Sequence, residues 1–277
     1  MNNIQQIVNY YSKKESKWGY NLIMKGSKHF GFYPENEKIS EKKAQILMQK
    51  LIAKKLQITK NKKILDAGCG QGVVSLFLAQ KFDCQIEGIS VVPFEIEIAQ
   101  KNAKKNNLQQ KLNYQIMDYN NLKFAKNSFD CIYTTESVVH SYNVEKTLRE
   151  FFRVLRPNGK IFLSEYTLAD DKKFSKKDWE ILNFIIKYSA MAGLKNFRHN
   201  SFSKKLKKAG FKNISEKNIT KNILPSFERL KKIAKIPYKI IKFLRLQKYF
   251  VNAVAGFEVP NLIKKDLWRH CIFVAEK

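Results

Sequence analysis

The sequence has no apolar run of about eighteen residues, so no segment of it is long enough to cross a bilayer as a helix. Its first residues, MNNIQQIVNYYSKKES, lack the basic-then-apolar pattern of a secretory signal, and a cytoplasmic protein is expected. Cysteine is scarce. Cys69, Cys84, Cys131 and Cys271 are scattered, with no CxxC pair, so reduced thiols are expected and no metal site. Acids are few, 24 against 52 basic residues, which leaves a formal charge of +28. Such a balance first suggests nucleic acid. Only seven of the basic residues are arginine, however, and Asn and Ile are abundant, which points to compositional drift rather than selection for phosphate or base reading. The charge is nevertheless uneven: residues 196–277 carry twenty Lys and Arg against five acids. An anionic partner such as a membrane surface stays open for that half, and a peripheral membrane location with it.

What is present fits one large domain, or one domain with insertions: 277 residues, 44% of them hydrophobic, and no internal repeat. Residues 1–60 read as a mostly helical cap, with the aromatic-rich YYSKKESKWGYNLIMKGSKHFGFYP followed by a helix over EKKAQILMQKLIAKKL. From Lys62 strands and helices alternate. KILDAG, CQIEGIS, LNYQIMD, FDCIYTT and KIFLSEY read as strands, and QGVVSLFLAQKF, PFEIEIAQKNAKKN and VEKTLREFFRVL as helices. The last helix should stop at Pro157-Asn158-Gly159, a breaker followed by a turn. Apolar strands joined through helices predict a parallel sheet covered on both faces. The tail departs from alternation. Ser175-x-x-Asp178 reads as a capping box for a helix through about Met191, and SFSKKLKKAG as a helix closed by Gly210. FKNISEKNI and WRHCIFVAEK read as strands. A basic amphipathic stretch spans roughly 222–255, with Ile223, Phe227, Leu230, Ala234, Ile241 and Leu244 at helical spacing, and Pro237 should kink or split it. Such a stretch suits a solvated helix packed on the sheet, or a lid that also meets an anionic membrane surface.

Gly68, Gly70 and Gly72 fall at the end of the first strand, where a turn lets the backbone approach a ligand at the carboxyl edge of the sheet. The spacing alone is weak evidence. No Lys-Ser/Thr follows, which excludes a Walker P-loop, and the third glycine comes one residue early for a dinucleotide fingerprint. The second strand ends in Ser90, not in the acid that would hold a ribose.

Taken with Asp66, the run DAGCGQG resembles motif I of the class I S-adenosylmethionine-dependent methyltransferases. EGISVVPFEIEIA is similar to the G-I/V-T-x-S-x-x-Q of the subgroup that includes tocopherol and sterol methyltransferases and plant N-methyltransferases. IMDYNNLKFAKNSFDCIYTTESVVH and FFRVLRPNGKIFLSEY continue the likeness in order, firmly over about 62–166. Tyr11, Trp18, His29 and Gly31 match the subgroup's opening, a segment that caps the cofactor. The resemblance implies a Rossmann-like fold. Its seven-stranded, mostly parallel sheet would carry helices on both faces, a cap over 1–60, a core over 61–277 and lid insertions at about 168–200 and 222–262. It implies S-adenosylmethionine as cofactor, with Tyr11, Asp66, Gly68, Cys69, Gly70, Gly72, Ser90, Glu95, Asp118, Tyr119 and Thr135 around it. Glu95 stands where the subgroup has Gln and can accept from both ribose hydroxyls. Asp118 takes the place of the carboxylate that meets the adenine amino group.

Glu136 and His140, four apart, would share one face of a helical turn, and sterol methyltransferases carry a similar pair. His140 suits deprotonation of a phenol or amine, and Glu136 suits orienting His140 or stabilising a cation. Both also have bland readings, as a packed histidine and a helix-terminal charge. His29, Tyr166, Tyr188, Phe197 and His199 are candidate acceptor contacts within aromatic-rich segments that suit a small hydrophobic acceptor. The expected function is methyl transfer to an isoprenoid, lipid-like or alkaloid-like acceptor, at C, N or O. An RNA methyltransferase is favoured only by charge, since TTES stands where base methylation would show Asn/Asp-Pro-Pro-Tyr/Phe. A non-catalytic cofactor-binding partner protein is disfavoured by the intact glycine motif.

Overall fold

A computed structural model describes residues 2–19, 23–24, 27–35 and 37–277; the side chain of Trp18 lies outside what is described. A seven-stranded sheet organises the chain. Its strands are β1 (Lys63–Ala67), β2 (Gln85–Ser90), β3 (Leu112–Ile116), β4 (Phe129–Thr135), β5 (Leu155–Leu168), β6 (Lys212–Asn218) and β7 (Trp268–Glu276). They lie in the order β3-β2-β1-β4-β5-β7-β6. Pairing is parallel from β3 through β5, and β7 runs antiparallel to both β5 and β6. The order reverses at β1, between β2 and β4, and this is the switch point at which an open sheet leaves a crevice at its carboxyl edge.

Ile64, Leu65 and Ala67 of β1 are wholly buried, as a strand covered on both faces requires. Helices α4 (Val73–Phe82), α5 (Pro93–Lys105) and α6 (Val144–Val154) provide that cover. In α6 the residues Val144, Thr147, Leu148, Phe151 and Val154 face inward, and the Asn143 side chain caps the first turn by accepting from the Lys146 amide. The expected breaker after α6 survives in altered form. β5 already begins at Leu155, and Arg156–Gly159 bulge out between paired Leu155 and Lys160, with Asn158 left-handed at φ 61°. The strand pairs on either side of the proline because a bulge releases the ladder position that proline cannot fill.

Ahead of the sheet come α1 (Asn3–Ser12), α2 (Lys14–Trp18) and α3 (Glu41–Leu56). Gly31 and Phe32 pack on α3: Phe32 donates to the Ala44 carbonyl, and a Cβ on Gly31 would fall 2.4 Å from that of Ala44. After β5 come α7 (Lys176–Tyr188), which starts at the expected Ser175–Asp178 capping box, and α8 (Phe202–Lys208). The basic stretch forms a hairpin of α9 (Thr220–Phe243) and α10 (Val251–Lys264). Pro237 does not split the stretch: α9 runs through both Pro225 and Pro237. Packing on α10 offsets the missing hydrogen bond: Tyr238 stacks on Phe257 at 4.2 Å, and its hydroxyl donates to Glu258 at 2.5 Å. No helix among the described residues is long and apolar enough to cross a membrane.

Candidate active site

The carboxyl ends of β1, β2 and β4 and the loop after β3 enclose a cleft of about 60 Å³. Gly68 adopts φ 98°, and a Cβ there would strike the Ser137 hydroxyl at 2.0 Å, so only glycine lets β1 and the loop after β4 close up. Gly70 differs: a Cβ there would meet only the Lys28 chain, at 3.6 Å, so its backbone faces the cleft. Ser90 donates to Glu95 at 2.9 Å and accepts from the Val92 amide. Glu95 also pairs with the Lys28 ammonium, which sits 4.0 Å from the centre of the Tyr11 ring. Across the cleft Asp118 accepts from the Asn120 amide at 2.8 Å and the Tyr142 hydroxyl at 3.1 Å. Tyr119 donates to the Ser137 carbonyl at 2.8 Å, and Thr135 reaches the rim. Ile4 and Ile7 of α1 complete the wall.

Three expected cofactor contacts lie outside this lining. Gly72 packs against Tyr114. Cys69 is buried beneath the turn. Asp66 points into the core, where Ser75 and Tyr133 donate to it, and burial lifts its carboxyl to about 6. Its observed work is to anchor the strand under the glycine turn.

A larger cavity of about 300 Å³ adjoins the cleft. Its walls come from α1, β5, α7, α9, α10 and β7, and are apolar at Met24, Phe30, Ile185, Met191, Phe227 and Leu230. Tyr11, Lys28, Glu136 and His140 line both spaces. Glu136 follows β4 directly, in a left-handed conformation at φ 54°. Its carboxylate accepts from the Phe30 amide at 2.9 Å and from the Tyr166 hydroxyl. Burial raises it to about 8 despite those bonds, with Glu165 adding to the rise. Glu165, likewise raised to about 7 by burial, accepts from the Ser137 and Val138 amides and so holds the turn after β4.

His140 and Glu136 are not joined as the four-residue spacing suggested. His140 lies in a short 3-10 turn, and its Nδ1 is 2.9 Å from the Ala190 carbonyl, which can only accept. Nδ1 therefore carries the proton, and Nε2 accepts from the Tyr11 hydroxyl at 3.0 Å. Burial pushes the imidazole down to about 4, so it is neutral near pH 7, and burial raises Tyr11.

Of the expected acceptor contacts, Tyr166 lines the cavity and the other four do not. His29 is buried between Phe30 and Gln49, bonded to the carbonyl of one and the side chain of the other. Tyr188 packs on Phe184 at 4.7 Å, Phe197 stacks on Phe202 at 4.1 Å inside the core, and His199 bonds the Thr167 carbonyl. Aromatic density does not separate residues that line the cavity from those that face the core. Residues that the sequence did not single out are Lys28, Glu165 and Trp268. Trp268 lines the cavity, and its indole N–H has no partner among the described residues. Glu165 carried a signal, an acid within the mostly apolar second half of β5, IFLSEYTL. Lys28 carried none.

A family model for a methyltransferase domain matches residues 58–229. An S-adenosyl-L-methionine-dependent Diels-Alderase of Talaromyces variabilis is 31% identical over 98% of this chain and 94% of its own. A sterol 24-C-methyltransferase of Candida albicans is 30% identical over 61% of this chain, an alignment that spans only 44% of that protein. Among solved structures, a cyclopropane synthase from Mycobacterium tuberculosis superposes with a TM-score of 0.84 at 13% identity, covering 99% of this chain and 98% of its own.

Proposed function

This chain belongs to the class I S-adenosylmethionine-dependent methyltransferases, and on that premise we propose that it methylates a small hydrophobic acceptor held in the larger cavity. The observation that carries the reading is that cleft and cavity meet at the same four side chains, Tyr11, Lys28, Glu136 and His140. The cofactor is S-adenosylmethionine, and the cleft fits its nucleoside end. Ser90 and Glu95 offer oxygens to ribose hydroxyls, Asp118 accepts from an amino group, and Gly70 leaves room for close backbone approach. When bound, the cofactor supplies an electrophilic methyl on a positively charged sulfur.

The residues of the chain then have separable tasks. The apolar walls hold the acceptor and keep water away from it. Glu136, neutral until a cation comes near, ionises against positive charge on the acceptor, as methylation at an alkene carbon or an amine creates. An acceptor that must lose a proton passes it to the Tyr11 oxygen as Tyr11 passes its own to His140 Nε2. The relatives support this acceptor class: one in Candida albicans is described as acting on sterols, and another, in Rauvolfia serpentina, on the nitrogen of norajmaline.

A second reading has one observation in its favour: the relative aligned along nearly the whole chain is described as a Diels-Alderase. In that reading the cavity folds a polyene for ring closure while the cofactor stays intact. Incubation with methyl-labelled cofactor and a panel of terpenoid, sterol and alkaloid acceptors separates the two. Labelled product with one equivalent of S-adenosylhomocysteine is expected. A product isomeric with its substrate, formed with no loss of cofactor, overturns methyl transfer in favour of the cyclase.

A further inference from the structure

α9 carries two apolar stripes. One, through Ile223, Phe227, Ala234 and Ile241, is buried against the body of the protein. The other runs through Ile233, Ile236, Ile240, Phe243 and Leu244 and is left in water; Ile236 is 71% exposed and Phe243 85%. Spacings of three and four place these five on one face. Tyr249 and Phe250, just beyond the helix, are exposed as well. Exposed side chains of this size in one continuous patch mark an interaction surface. No acid occurs between Glu228 and Glu258, whereas Lys231, Lys232, Lys235, Lys239, Lys242, Arg245 and Lys248 do.

We propose that this face docks on an anionic membrane surface, its apolar stripe entering the acyl boundary and its lysines meeting the headgroups. A cationic rim around a water-exposed apolar stripe is what an interfacial helix needs. Other occupants suit it less. In a symmetric dimer this face would meet its own copy and bring like charges together. Nucleic acid would leave Ile236, Ile240 and Leu244 without a partner, since aliphatic chains neither stack on bases nor bond phosphate. The stripe also adjoins the cavity: Ile233 lines it and is 44% exposed, and Pro237, one turn on, lines it too. An apolar acceptor thus has a path from bilayer to cavity that does not cross water. The proposal stands apart from which reaction the cavity carries.

Sedimentation of the full chain with vesicles of phosphatidylglycerol and phosphatidylcholine tests it. Binding should rise with the anionic fraction and fall with added salt. Removing two headgroup contacts, in a Lys239→Ala/Lys242→Ala variant, should weaken it about 30-fold. Ile240→Gln/Phe243→Gln, which keeps the net charge, should also release the protein while leaving its circular dichroism unchanged, since both side chains stand in water. Three results overturn the proposal. The protein stays in the supernatant on mostly anionic vesicles at low salt. The glutamine pair binds as tightly as the parent, which makes adhesion a matter of net charge alone. Light scattering shows a dimer that the glutamine pair dissolves, which makes the face a contact between copies.

Discussion

Glu136 lines both cleft and cavity, and its environment can be read by pH alone. Burial holds its carboxyl near 8, far above an unfolded glutamate, so the folded chain binds a proton that the unfolded chain has lost. Stability of the cofactor-free protein should therefore fall as pH rises from about 4.5 toward 8. Glu165 and Asp66, also raised by burial, add to the same fall. In chemical denaturation at pH 5 and pH 8, Glu136→Gln should lose less stability than the parent over that interval, by more than about 1 kcal/mol. An equal loss in both would place the charge of Glu136 in contact with water. The pair Ser90 and Glu95 was legible from sequence because a missing acid at a strand end, with an acid five residues on, is a local pattern. Trp268 and Lys28 were not, since they enter the cavity from β7 and from the segment after α2, and no spacing links them to the motif. Phe197 and His199 misled for the converse reason: within one aromatic-rich segment, composition does not tell a cavity wall from the core behind it.

At the scale of elements, periodicity located nearly every strand and helix of the sheet, because burial on both faces leaves apolar runs with sharp polar ends. It fell short where tertiary contacts outweigh a local rule, at the bulge after Leu155 and at Pro237, which α9 passes without a split. The N-terminal elements close one side of the cleft. α1 contributes Ile4, Ile7 and Tyr11 to the cleft, and Tyr11 reaches His140 across 129 positions of sequence. Tyr10 of α1 donates to the Asn252 side chain at 2.6 Å, and Glu15 of α2 accepts from the Asn252 amide at 2.9 Å. Elements at a chain terminus open locally at low cost and gain most when a ligand fills the space beneath them. Hydrogen exchange should show new protection over residues 3–18 when S-adenosylhomocysteine is added. Protection confined to β1 through β4 would mean that α1 does not respond to the cofactor.

The whole molecule places a carboxyl-edge cleft, made by the parallel half of the sheet, against a cavity roofed by helices from both ends of the chain. In the proposed function two tasks meet at that contact, holding the cofactor and holding the acceptor, and the account rests on their sharing one wall. A crystal structure with S-adenosylhomocysteine tests this most directly, since it needs no knowledge of the acceptor. The account predicts the ribose hydroxyls on Glu95, the adenine amino group at Asp118, and the sulfur facing the wall of Tyr11, Glu136 and His140. A ligand whose sulfur points away from that wall, or one bound outside the cleft, would contradict it.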